Sequence, residues 1–308
     1  MTNITGFTFL STDGKTQLHG MRWEPEGRSV RAVLQICHGV AEHIARYDAF
    51  ARYLNELGIA VVGHDHLGHG RSLPEGGTPV YFGEGSTWHT VVDDIYVLHQ
   101  RIRLWYPDVP LCIMGHSMGS FLLRTYLYTY PDAVDKAVIS GTGWEDPTKV
   151  RLGKLVCKLE QARVGETSTS KLVTKLMFGS YNKPFGAVTS PNAWICSDEA
   201  VVAAYDADPL CGFDATVGLA HDLLTGVEMN EQPENLDKMN KQLPLLFVSG
   251  SKDPVGGMAK GVLRCIDAFK RSGMKDITIK LYPEGRHEML NERNKAEVYQ
   301  DILDWLER

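Results

Sequence analysis

Long hydrophobic runs are missing from this chain of 308 residues: nothing approaches the roughly 18 apolar residues of a membrane-spanning helix. The N-terminus, MTNITGFTFLSTDGKTQLHG, alternates polar and apolar residues and lacks the basic start and apolar centre of a secretory leader, so a cytoplasmic protein is expected. Basic stripes are equally absent. Lys and Arg total 32 against 38 Asp and Glu, a formal net charge of −6, which argues against nucleic acid as a partner. The six cysteines (37, 112, 157, 196, 211 and 265) show no C-x-x-C spacing, and reduced, mostly buried thiols are expected. No internal repeat and no low-complexity linker is present.

What is there, 43% hydrophobic and 23% charged residues, is enough for one large core with an insertion. Ile4 to Phe9 and Gln17 to Trp23 alternate around Thr12-Asp13-Gly14 and predict an opening hairpin. Apolar runs at 32–39, 59–65, 111–116 and 136–143 have the continuous pattern of strands covered on both faces, and stripes of helical spacing fall between them, the second from Ser86. This rhythm predicts a mostly parallel sheet wrapped by helices, an α/β fold. From about Trp144 to Gln242 only helical stripes occur, among them Leu152, Leu155, Val156 and Leu159, then Leu172, Val173 and Leu176. The strand pattern returns at 243–250 and 277–282, and a last helix is expected near Asn294 with Glu297 completing a capping box. The expected division is a core of 1–143 and 243–308 with a helical cap, 144–242, whose apolar stripes are expected to form an acyl-chain channel.

The stretch LCIMGHSMGS, 111–120, is a strand leading into Gly115-His116-Ser117-Met118-Gly119 and then a helical run, the context in which G-x-S-x-G forms a nucleophile elbow. The turn holds the serine in a strained conformation and requires glycine two residues to either side. A serine hydroxyl needs a base, and the base needs an orienting acid. His287 follows strand 277–282 and Asp253 follows strand 243–250, the strand ends where an open parallel sheet builds its sites. The order Ser, Asp, His is the order that accompanies this elbow. The oxyanion hole is expected from the backbone N–H groups of Met118 and Val40.

The runs HGVAEHIARYDAFARYLNELGIAVVGHDHLGHGRS, GHSMGS, SGSKDPV and EGRHEMLNER resemble the α/β-hydrolases of the monoacylglycerol lipase and lysophospholipase group, within the serine aminopeptidase-type family. The resemblance implies an α/β-hydrolase fold with a helical cap after the sixth strand, a triad of Ser117, Asp253 and His287, and no cofactor. It implies a serine esterase acting on monoacyl lipids or small acyl esters. Two positions depart from the family pattern: Ser120 replaces the second glycine of GHSMGG, and Leu67 stands where an arginine is common.

Other readings of the same residues were weighed. His64-Asp65-His66-Leu67-Gly68-His69 approaches a dinuclear zinc signature, but Gly68 stands in place of the carboxylate, so no metal is expected. His38, His116 and Glu42 are candidates for substrate contact or for support of the catalytic turns, and Asp208 competes with Asp253 as the acid. An aminopeptidase would need cap carboxylates to hold an ammonium, for which Glu160, Glu166, Asp198 and Glu199 are available. A non-catalytic binding module is disfavoured because serine, acid and histidine are all present, and a dehalogenase would need aspartate at 117. A peripheral membrane contact through the cap is left open, as are head group and oligomeric state.

Overall fold

Short, branched apolar runs bounded by turn residues become the strands of one eight-stranded sheet. The computed structural model describes residues 2–85 and 87–308; Ser86, the expected start of the second helix, lies outside them. The hairpin is β1 (Thr2–Leu10) and β2 (Gln17–Pro25), antiparallel with Phe9 opposite Leu18. Next come β3 (Ala32–Cys37), β4 (Ile59–His64), β5 (Leu111–His116), β6 (Lys136–Ser140), β7 (Leu245–Gly250) and β8 (Ile277–Tyr282). The spatial order is β1-β2-β4-β3-β5-β6-β7-β8, with β1–β2 and β2–β4 antiparallel and the other five pairs parallel.

Side chains alternate between two cores along each strand. Leu34, Ile36, Met114, Leu246 and Val248 pack with α1 (Asp48–Asn55) and α10 (Lys295–Leu306). Val33, Cys37, Ile113, Leu245 and Phe247 pack on the other face with α2 (Trp88–Trp105), α3 (Met118–Thr129) and α9 (Lys260–Arg271). All six cysteines are unpaired and buried. Among the described residues no helix is long and apolar enough to cross a membrane.

Between β6 and β7 the chain forms α4 (Pro147–Val164), α5 (Lys171–Phe178), α6 (Glu199–Ala207), α7 (Val217–Asn230) and α8 (Pro233–Leu236). Asp146, Ser170, Asp198 and Thr216 cap the first four, each accepting from a first-turn N–H. The leucine stripe differs from its expected role. Leu152, Leu155 and Leu159 of α4 are 61%, 53% and 63% exposed, and Leu172 and Leu176 of α5 also face solvent. The opposite side of α4 carries the packing: Val150 and Cys157 are buried, and Gly153 abuts Leu224 of α7. The expected capping box at α10 also fails to form. Asn294 has φ −96° and ψ 23°, a turn rather than an extended cap, and its amide donates to Glu297 Oε2 at 2.9 Å.

Candidate active site

The direction of chain progression across the sheet changes between β3 and β5, so the loops after these two strands diverge and leave a crevice at their carboxyl ends. Ser117 occupies the turn between β5 and α3 at φ +52° and ψ −122°, a strained conformation for a residue with a side chain. The flanking glycines are required by contact. A Cβ on Gly115 would run into the carbonyl oxygen of Gly119, and one on Gly119 into that of Cys37 in β3. Ser117 N–H donates to Ser140 O at 3.0 Å, locking the elbow to β6. Ser120, the departure from the family pattern, donates its hydroxyl to Ser117 O at 2.6 Å and so braces the same turn.

His287 lies in the loop after β8, and its Nδ1–H points at Asp253, whose two carboxylate oxygens are each 3.0 Å away. Asp253 is fully buried in the loop after β7, and one oxygen also accepts from Val255 N–H at 2.9 Å. The two loops are joined by Ser251 N–H to Tyr282 O and Lys252 N–H to Gly285 O. Gly250 permits this approach, since a Cβ there would collide with the carbonyls of Gly285 and Arg286. Burial opposes a charge on His287, but the Asp253 carboxylate and its hydrogen bond, aided by Glu288 and Glu42, raise its pKa above the usual value. Nε2 has no partner among the described residues. The Ser117–His287 hydrogen bond is not formed here, as is common in unliganded serine sites, and both residues line one cavity. The competing acid Asp208 is elsewhere: it accepts from His43 Nε2–H at 2.9 Å.

Val40 stands in the turn after β3 and lines the same cavity, and Met118 is the first residue of α3, where backbone N–H groups lack helical partners. The turn is held at each residue around Val40. Gly39 N–H donates to Glu42 Oε1 at 2.5 Å. His38 Nε2 accepts from His66 N–H at 3.0 Å, which puts the ring proton on Nδ1, and Nδ1–H donates to Gly39 O at 2.8 Å. Ala41, at φ +54°, has its carbonyl bound by Gly212 N–H at 3.0 Å and Tyr205 Oη–H at 2.9 Å. Among the described residues Val40 N–H donates to no carbonyl. Glu42 also accepts from Tyr47 Oη–H at 3.0 Å and from Arg46, and Arg46 in turn makes a paired contact with Glu288. Burial pushes the Glu42 carboxyl up, but Arg46, His116 and His38 together with the Gly39 N–H outweigh it and hold the group at about 2. His116 approaches Ser140 Oγ at 3.3 Å and is kept neutral, at about 4, by burial and by neighbouring His287. His38 and His116 thus sit against the catalytic turns, and Glu42 braces the turn at Val40.

The segment between β6 and β7 lines one side of the cavity, which holds about 170 Å³. Phe178, Trp194, Ile195, Tyr205 and Phe213 supply apolar walls, while Asn192 and Asp214 are polar. Sequence reasoning missed Trp194, on a single 3-10 turn (Ala193–Ile195), and Phe213, in a loop, both too short for periodicity to show, and gave Tyr205 of α6 no role. The histidines of the 64–69 loop do not gather into a metal-holding group. Asp65 accepts from Ile44 N–H and Arg71 N–H, and His64 and His66 are buried with unpartnered ring nitrogens. Among the described residues the one trio with metal-like spacing is His43, Asp208 and Cys211.

Comparison with known proteins places this geometry. The family model described as serine aminopeptidase, S33, matches residues 28–294. A monoacylglycerol lipase of Mycolicibacterium smegmatis is 29% identical over 291 residues, covering 92% of this chain and 90% of the relative. A monoglyceride lipase of Mus musculus is 31% identical over 284 residues, covering 91% and 82%. The crystal structure of a thermostable carboxyl esterase from Bacillus coagulans, in complex with glycerol, superposes with a TM-score of 0.91 at 27% identity, covering 99% of this chain and 98% of that one. The family match over residues 28–294, with the superposition over 99% of the chain, identifies it as a member of this α/β-hydrolase family, of esterase and lipase type.

Proposed function

We propose that the protein is a serine esterase that cleaves the carboxylic ester of a monoacylglycerol, lysophospholipid or similar small acyl ester. The observation that carries this reading is the convergence of Ser117 in its strained elbow, the Asp253–His287 pair and the braced turn at Val40 on one cavity. Ser117 Oγ attacks the acyl carbon while its proton passes to His287 Nε2; the N–H groups of Val40 and Met118 bind the developing oxyanion. The imidazolium gives the proton to the leaving alcohol, and a water activated by His287 then releases the acid from the acyl-enzyme. Residues 144–242 act as a cap: the aromatic wall takes the acyl chain and the polar end takes the alcohol. The relatives named as monoglyceride lipases support this substrate class. The outward leucines of α4 support a peripheral contact of the cap with a lipid surface.

The aminopeptidase alternative has little support in the placement of its candidate acids. Glu160 accepts from Arg163 and Ser170, Glu166 accepts from Tyr81, and Asp198 caps α6. None of these, nor Glu199, lines the cavity. Labelling with a fluorophosphonate, followed by a panel of p-nitrophenyl esters of rising chain length, monoacylglycerols and aminoacyl amides, tests the proposal. Labelling at Ser117 with turnover of monoacylglycerols is expected. Turnover confined to amides would overturn it, and a steep preference for acetyl over octanoyl would remove the monoacyl lipid.

A further inference from the structure

His287 has two ring neighbours. One is His116, 4.7 Å away between ring centres; the other is Trp194, from the segment between α5 and α6, at 5.0 Å and tilted 42°. Trp194 is itself backed by Tyr181 at 4.9 Å and Phe178 at 6.3 Å. The stretch around it is tied to the loop that carries His287. Glu288 N–H donates to Ile195 O at 2.7 Å, and Arg286 Nη1 donates to Ala193 O at 2.5 Å and Cys196 O at 3.1 Å. Ser197 N–H donates to Glu292 Oε1 at 2.9 Å, and the same oxygen accepts from Arg286 N–H. A residue that only covered a cavity would need no such attachment. These bonds fix the segment of Trp194 to the loop of His287.

We propose that Trp194 is a positioning residue for the general base, fixing the His287 ring against Asp253 and stabilising, through its π-face, the imidazolium that forms when Ser117 gives up its proton. The inference rests on His287 being the base. Its setting favours a sizeable effect, because the ring is buried and cation–π attraction strengthens where water is excluded. The other groups facing His287 are the carboxylates of Asp253, Glu288 and Glu42 and the neutral ring of His116; Glu42 and Glu288 share the single guanidinium of Arg46, so one net negative charge remains beside the ring.

The test is the pH dependence of kcat/KM for a soluble p-nitrophenyl ester in the wild type, Trp194→Phe and Trp194→Leu. Removing the π-face lowers the pKa of the base, so the Trp194→Leu acid limb is expected about half a pH unit lower, with kcat down roughly three- to ten-fold. Trp194→Phe should restore most of both. An unshifted acid limb with only KM changed would overturn the proposal and leave Trp194 as pocket lining. The native protein gives a second readout that needs no Trp194 variant. An imidazolium against an indole quenches its emission, so fluorescence should fall as pH drops through the kinetic pKa, and this fall should be absent in His287→Asn. A wild-type emission that ignores that transition would also overturn the proposal. Failure of the triad reading is distinguishable, because His287→Asn would then keep its turnover.

Discussion

The phenol of Tyr205 donates a 2.9 Å hydrogen bond to the carbonyl oxygen of Ala41, joining α6 to the turn that carries Val40. Ala41 sits at φ +54°, a conformation that an alanine holds only when its surroundings fix it. The bond therefore acts on the turn proposed to bind the oxyanion as well as on α6. Tyr205→Phe is expected to lower kcat by roughly three- to ten-fold, the loss of one buried hydrogen bond, since Gly212 N–H still holds the carbonyl. KM for p-nitrophenyl acetate, whose short acyl group reaches little of the aromatic wall, should change little. Steady-state kinetics decide it, and an unaltered kcat would show that the turn keeps its shape without the phenol.

The two candidate acids are separated by their partners. Asp253→Asn is expected to reduce kcat on the order of ten-thousand-fold, as in other serine triads, with the melting temperature little changed. Asp208→Asn loses the contact with His43 and should stay within a few-fold of wild type. The reverse pattern in ester turnover would reassign the acid.

Buried histidines cost stability on acidification, opposed by Asp94 and Asp222, which burial raises to about 6, and Glu231, raised to about 7, whose folded carboxyls take up protons before the unfolded chain does. Burial holds His64 at about 3, and His69, His99 and His116 at about 4, against an ordinary value of 6.5. Below pH 6.5 the unfolded chain takes up protons that these folded rings refuse, so stability is lost as pH drops from 6.5 toward 4. His287 has the opposite sign: its contribution is complete below 6.5 and is lost as pH rises through its raised folded pKa. Glu42 and Asp65, both held at about 2, add a further loss as pH falls toward 2. With four lowered histidines against three raised acids, melting temperatures should drop between pH 6.5 and 4. His64→Leu, removing a ring with no hydrogen-bond partner, should flatten that drop by about 1–3 kcal/mol at pH 4; an unchanged slope would mean His64 titrates normally in the fold.

The exposed leucines of α4 bear on the proposed approach of a lipid substrate. Leu155→Ser combined with Leu159→Ser is expected to weaken binding to phosphatidylcholine vesicles and slow hydrolysis of vesicle-borne monoacylglycerol by several-fold. Turnover of a dissolved p-nitrophenyl ester should stay level. Equal loss on both substrates would place the effect in the fold of the cap rather than in lipid contact.

The sequence by itself determined the sheet, the elbow and the identities of the groups the site assembles. Strands buried on both faces leave near-continuous apolar runs, and the G-x-S-x-G turn is local chemistry, so Ser117 between two required glycines was legible at once. The loops after β7 and β8 were legible because a parallel sheet delivers its strand ends to one edge. Only the tertiary structure decided what surrounds those groups. It set Asp253 rather than Asp208 at the His287 ring, turned the leucine stripe of α4 outward, and laid Trp194 against His287 and Tyr205 against Ala41. The physical reason is that helical spacing reveals an apolar stripe without naming what it faces. Contacts between residues 93 or more positions apart, made from short turns and carbonyl oxygens, leave no periodic trace in the chain.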